Sequence, residues 1–229
     1  VELVWTLDDA LRADVAAAGT AFAEYAAATA TTTLSIEGFT AEDAKALRCS
    51  PDAFAQTAFQ LAHRRSKGLT GATYESIATR RFHHGRTEAM RVVTPEIVRF
   101  VQTWDDPAAT DDARRAAFRA AADAHVARAR QCQAGDAPEQ HLWELQLIQR
   151  RRGTELGATE PIGLYDSPGW TIMRDDYLST SAVPSPNVQY FGFGSTSARC
   201  IGIGYALMPT RFDLYLSTPA AVADRMHDF

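Results

Sequence analysis

Cysteine is scarce in this chain of 229 residues: three, at Cys49, Cys132 and Cys200, widely spaced and odd in number. They form no metal-binding pair and no evident disulfide framework, which points to a reducing compartment and a cytoplasmic location. Long apolar runs are missing too. None approaches the roughly 18 residues that a membrane-spanning helix needs, and no secretory signal pattern opens at Val1. Positive charge is not in excess. The formal net charge is -5, so no global basic field favours nucleic acid. No glycine-rich phosphate loop of the Walker or Rossmann type occurs. Gly192, Gly194, Gly202 and Gly204 fall in stretches that read as strands, where they permit bulges or close backbone approach. Internal repeats and low-complexity segments are absent as well. The chain opens without Met and in mid-pattern, as a fragment, a processed product or a subunit would.

What is there suits one large domain or a tight pair. Hydrophobic residues make up 46% and charged residues 22%, enough apolar material for a sizeable core. Leu11, Val15, Ala18, Phe22 and Tyr25 recur at helical steps and predict a helix over 8–28. Residues 31–39 read as a strand with Leu34 and Ile36 on one face. Ser50-Pro51-Asp52 is a strong helix start, and that helix should end by Gly68. Thr94-Pro95-Glu96 opens another, and further helices are expected near 111–132 and 138–152. The tail reads as strands over 176–181, 187–193, 201–207 and 211–217, with a short helix after Thr218-Pro219. Helices first and strands late argue for an α/β or α+β layer, with helices packed on a sheet.

Two groups of residues are more specific. Ser50-Pro51-Asp52-Ala53-Phe54-Ala55-Gln56 is followed by Ala72-Thr73-Tyr74-Glu75-Ser76 and by Arg80-Arg81-Phe82-His83-His84-Gly85-Arg86-Thr87-Glu88. Later come Leu178-Ser179-Thr180-Ser181 with Val183-Pro184, then Gly192-Phe193-Gly194 and Gly202-Ile203-Gly204-Tyr205, with His141-Leu142 between the groups. In this order the segments resemble the signature of the carnitine/choline acyltransferases, specifically their C-terminal half. The resemblance implies an α/β fold of the CoA-dependent, chloramphenicol acetyltransferase-like kind, a mixed sheet flanked by helices. It also implies two such halves with a tunnel between them. Residues 1–229 then form the later half-domain, and the N-terminal half that carries the catalytic histidine is absent.

The six histidines fit that expectation. The family's catalytic histidine is followed four residues on by Asp. None of His63, His83, His84, His125, His141 and His227 is. Each reads best as a helix-face or core residue, with His84, before the Gly85-Arg86-Thr87 turn, the one left open. Acyl transfer to a hydroxyl needs a base near neutrality, the task a histidine suits.

By the same resemblance, Ser181 is the expected catalytic donor, hydrogen-bonding the oxyanion of the tetrahedral intermediate. Tyr74, Thr87 and Ser179 match residues that hold the carboxylate of carnitine, each offering a hydroxyl. The family's arginine before His-Leu is Gln140 here, which argues against carnitine as acceptor. Phe193 falls where an aromatic ring packs near a quaternary ammonium. Lys45 and Asp52 match residues near the phosphates and the pantetheine arm of CoA. Ala41, Ala78 and Ala182 stand where polar donor contacts are expected, which makes a donor tethered to an acyl carrier protein a possibility, as in the acyltransferase domains of polyketide synthases. No tightly bound cofactor or metal is implied; the donor substrate is acyl-CoA or acyl-phosphopantetheine. The expected partners are the N-terminal half and a small alcohol acceptor. The alternative reading is a non-catalytic ligand-binding or scaffold subunit of the same fold.

Overall fold

Short side chains decide where the helices begin. The Ser50 hydroxyl accepts from the Ala53 amide, with Pro51 in the first turn, and Gly68 closes the helix in a left-handed conformation at φ 72. Thr94 and Thr110 cap the next two helices through the amides of Ile97 and Ala113. Each such cap contributes about 1 kcal/mol and satisfies an amide that would otherwise lack a partner.

The computed structural model describes residues 3–183, 185 and 187–229; Pro184, part of the Val183-Pro184 match, lies outside them. The described helices are α1 (Asp9–Ala27), α2 (Ala41–Ala46), α3 (Pro51–Lys67), α4 (Pro95–Asp105), α5 (Asp111–Gln133), α6 (Glu139–Leu156), α7 (Pro168–Arg174) and α8 (Asp224–His227). The strands are β1 (Thr29–Ile36), β2 (Thr73–Ala78), β3 (Thr87–Arg91), β4 (Leu178–Ala182), β5 (Ile201–Leu207) and β6 (Phe212–Pro219). They form one mixed sheet in the order β1-β6-β5-β4-β2-β3. The β2–β4 and β4–β5 pairs are parallel and the others antiparallel. This is the expected mixed α/β layer.

Burial explains the layering. Leu178, Ile201, Ile203, Tyr205, Leu214 and Leu216 on the sheet pack with Ala55 and Phe59 of α3 in the main core. A second cluster of Ile97, Phe100, Val101, Ala117 and Ala121 joins α4 to α5. Burying side chains of this size stabilises by roughly 1.5–3 kcal/mol each.

Residues 187–193 correct the sequence expectation, because they are not a strand. The reason is topological: β5 already has β4 and β6 as neighbours, so no further strand can pair there in the plane. The segment crosses over the sheet instead. A Cβ on Gly204 would strike the Phe191 carbonyl, and one on Gly202 would crowd the Ser217 hydroxyl and the Phe193 ring. Gly202 and Gly204 do lie in a strand, whereas Gly192 and Gly194 lie outside any. The helix α1 departs differently. Its apolar stripe forms as the spacing predicts but faces solvent, with Val15 62% and Phe22 71% exposed.

Gly204→Ala should therefore lower stability by about 1–3 kcal/mol, the range for overpacking against an unyielding neighbour. Gly19→Ala, in an exposed stretch of α1 with nothing near the added methyl, should leave stability unchanged or raise it by up to about 1 kcal/mol. Urea midpoints of the two variants check the contrast.

Candidate functional site

Three polar residues of α3 lie four apart and so share a helix face: Asp52, Gln56 and Gln60. They are hydrogen-bonded to the sheet or reach it through a tyrosine. The Gln56 amide donates to the Thr180 hydroxyl at 2.8 Å and to the Tyr205 phenol at 3.0 Å. Thr180 donates onward to the Tyr74 carbonyl at 2.9 Å. Tyr205 donates onward to Asp52 at 2.6 Å, and Gln60 donates to Thr73 at 3.0 Å. Each hydroxyl thus accepts once and donates once, a chain in which each bond polarises the next.

The pleat then assigns residues to faces. In β2, Thr73, Glu75 and Ile77 are buried while Tyr74 and Ser76 are partly open. Tyr74 pairs in register with Ser179, and Ser179 with Gly202. One strand step on, the Ser76 and Ser181 hydroxyls meet at 3.1 Å, so Tyr74, Ser76, Ser179 and Ser181 share the outer face. A cavity of about 400 Å3 opens on it, lined by Tyr74, Gln140 and Ser179 together with Arg91, Trp143 and Arg174. Arg91 anchors its floor, forking onto Glu139 and reaching Asp176. Burial, more than any charge, raises the Tyr74 phenol above its ordinary pKa, so it stays a neutral donor.

The expected residues thus divide into groups. Tyr74, Ser179 and Gln140 converge on the cavity, and the Thr87 side chain reaches the Tyr74 phenol. Ser181 stands one step along the same face, next to Ser76. Phe193 does not line this cavity; it lies over Gly202, its carbonyl bonded by Ser217. Lys45 is exposed on α2 and pairs with Glu42 at 2.8 Å. Asp52 sits behind the sheet, in the network of α3. Ser76, Arg91, Glu139 and Asp176 were not singled out from the sequence. The alternation of Tyr74 and Ser76 was the available signal for the first, whereas the Arg91 cluster joins distant elements and had none.

Behind β2 lies a second charged group. His125 Nε2 meets Glu75 at 2.8 Å and comes within 4.0 Å of Asp52. Burial pushes the Glu75 carboxyl up to about 7, against the lowering effect of its hydrogen bond with His125, and the Asp52 charge adds to the rise. His125 is also raised: burial opposes its charge but the bond and charge of Glu75, with Asp52, prevail. The three donor atoms lie within 4.8 Å of one another, close enough for a divalent cation to bridge, although the direct hydrogen bond already satisfies two of them. The open histidine, His84, lies in an exposed turn at φ 61 with its ring against His83.

Comparison with known proteins gives one consistent result. The sequence profile described as Choline/Carnitine o-acyltransferase matches residues 1–229. The chain is 31% identical over 207 residues to a putative mitochondrial carnitine O-acetyltransferase of Saccharomyces cerevisiae, covering 90% of the chain and 30% of that protein. It is 33% identical over 180 residues to the carnitine O-acetyltransferase of Rattus norvegicus, covering 79% of the chain and 28% of the relative. With the human peroxisomal carnitine O-octanoyltransferase it shares 37% over 141 residues, 61% of the chain and 22% of the relative. The chain therefore spans less than a third of the length of these relatives. Among the described residues no helix is long and apolar enough to cross a membrane.

The buried Glu75–His125 pair predicts a pH dependence. Glu75 binds its proton more tightly folded than unfolded, where its ordinary value is 4.5. Its contribution is fully present below that value and is lost as pH rises to about 7. Raising His125 acts in the same direction. Glu75→Gln, which mimics the protonated form, should flatten the decline by on the order of 2 kcal/mol. Urea midpoints of both proteins at several pH values between pH 4 and 8 check this, and equal slopes would refute the assignment.

Proposed function

This chain belongs to the choline/carnitine O-acyltransferase family, and from that premise we propose that it builds the acceptor wall of an acyltransferase. The reaction is direct transfer of an acyl group from a thioester, acyl-CoA or a carrier-bound phosphopantetheine, to an acceptor alcohol. The acceptor oxygen bonds to the thioester carbonyl carbon as a base takes its proton. The resulting oxyanion collapses, the carbon–sulfur bond breaks, and the proton goes to the departing thiolate. Ser181 donates to the oxyanion, and Ser76, at 3.1 Å, fixes the direction in which its hydroxyl points. Tyr74, Ser179 and Thr87 position the acceptor. Lys45 and Asp52 are assigned to the donor by family resemblance alone. No covalent enzyme intermediate is required.

The observation that carries this reading is the convergence of Tyr74, Gln140 and Ser179 on one cavity, with Ser181 one step along the same face. Among the described residues no histidine lines that cavity. His125 is held by Glu75 behind the sheet. The base therefore comes from another polypeptide segment, either earlier in the same protein or in a partner chain. The exposed stripe of α1, with Leu11, Val15 and Phe22, supports the presence of such a partner surface. The three buried free cysteines support a reducing compartment, the cytoplasm included.

Mass spectrometry of the native protein should reveal the histidine-bearing segment. In that complete assembly, Ser181→Ala should lower kcat about a hundredfold, roughly 3 kcal/mol, with little change in KM for the thioester. The isolated chain should bind acceptor without turnover. Turnover by this chain alone, abolished by replacing one of its own histidines, would sink the proposal.

A further inference from the structure

The C-terminal end of α3 carries a cavity that the acyl transfer does not use. Its volume is about 260 Å3, and its walls include His63 and Lys67 of the helix, Tyr177 just before β4 and Arg199 just before β5. Leu69 and Ile201 supply an apolar side. Among the described residues no carboxylate lines it. The acids that offset its cations stand outside the walls: Asp228 accepts from Lys67 at 3.2 Å, and Asp175 meets Arg199. The Asp228 side chain is 64% exposed while that of Lys67 is 14% exposed, and an ion pair with so exposed an acid is weak. Lys67 has further N–H groups to donate, and Tyr177, which accepts from Arg199 at 3.0 Å, has its own proton to give. The Tyr177 ring is held in place by close packing on Gly71 and by the His63 ring, 5.7 Å away between centres. His63 itself is buried.

We infer that this cavity is a binding site for a phosphate group, carried by a small molecule whose body packs on Leu69 and Ile201. The donors come from three separate elements, α3, the start of β4 and the start of β5, so they surround a ligand. That suits the several oxygens of a phosphate better than the planar pair of a carboxylate. The site is distinct from the region assigned to the thioester donor. Asp52 lies in the first turn of α3 and Lys67 is its last residue, about 22 Å apart along the helix axis. The competing account is that Lys67 and Arg199 serve only as surface partners of Asp228 and Asp175. That account gives the cavity no ligand, and removing Asp228 then creates no affinity.

Phenyl phosphate, benzoate and phenol share a ring and differ in the group it carries, so they separate the accounts. Binding of each to this chain can be followed by calorimetry at fixed ionic strength in a phosphate-free buffer. The wild type should bind phenyl phosphate at one site, at least about tenfold tighter than benzoate, with phenol weaker still. Inorganic phosphate should displace it. Lys67→Met and Arg199→Gln should each weaken phenyl phosphate by about tenfold or more. Asp228→Asn removes the acid that competes for Lys67 and should tighten binding severalfold. Arg150→Gln, in a cavity elsewhere, should have no effect. No binding by the wild type, benzoate binding as tightly, an affinity unmoved by Lys67→Met and Asp228→Asn, or an equal loss in Arg150→Gln overturns the inference. Asp228→Asn alters an exposed side chain, so it decides even if Lys67→Met does not fold. Because binding is read without turnover, the result is independent of the Ser181 experiment.

Discussion

The hydrogen bonds from α3 into the sheet are the constraint on which the site depends. Gln56 is fully buried, and its amide grips Thr180 and Tyr205 together. A neutral hydrogen bond contributes only about 1 kcal/mol net, but leaving such a buried group without its partner costs about 1–3 kcal/mol. The network is therefore more a specifier than a source of stability. It selects the one strand position in which Thr180 faces α3. Since the side-chain period of a strand is two, that choice forces Ser179 and Ser181 to the opposite face. A slip of one residue in β4 would turn both serines toward α3 and turn Leu178 and Thr180 away from it. Gly202 and Gly204 complete the arrangement from β5, where the absence of a Cβ lets the Phe191–Phe193 segment cross close above the strand.

The same pleat separates two clusters of charge. Glu75 faces inward to His125 and Asp52. Its neighbour Tyr74 faces outward to Arg91, whose guanidinium carbon lies 5.9 Å from the ring centre. Each cluster solves burial in its own way. Arg91 stays charged because two carboxylates surround it, and removing either would leave buried charge uncompensated. Glu75 instead yields to burial by holding its proton to near neutral pH. Strand β2 is thus fixed from both sides, and the hydroxyls of Tyr74 and Ser76 lie on a support that packing and charge both hold rigid.

Much of this was legible in the sequence, for physical reasons that can be named. Ser50, Thr94 and Thr110 cap helices where a cap residue followed by proline or acid predicts a start. The alternation of Phe212, Leu214 and Leu216 located β6. By contrast β2 and β3 were not read as strands, because Thr73-Tyr74-Glu75-Ser76 places polar residues on both faces and carries no apolar period. The polar groups of β2 are satisfied from α3 and α5 and those of β3 from α6, which local sequence does not show. The helices α2 and α7, 6 and 7 residues long, are too short for periodicity to register. Residues 187–193 have strand-like composition, yet β5, the strand they cross, already has β4 and β6 as neighbours. The candidate site was assigned as a set of residues through family resemblance. Which face each occupied, and the neighbours Arg91, Asp176 and Ser76, depended on tertiary register.

That register also bears on the base that the proposed acyl transfer needs. Under the proposal that Ser181 donates to the oxyanion, that base must reach the outer face of β2 and β4. His125 has a carboxylate partner of the kind that orients a catalytic base, and on chemistry alone it is an obvious candidate. Its partner Glu75 points inward, however, while Ser76, the next residue, points outward and touches Ser181. The backbone of β2 stands between them. Only 3% exposed, His125 cannot swing around the strand without breaking the Glu75 bond and opening the core beneath α5. A well-formed histidine–carboxylate pair on the wrong side of a strand supports the sheet; it cannot take a proton from a ligand on the other face. What separates the two roles is the pleat, and residue chemistry by itself does not reveal it.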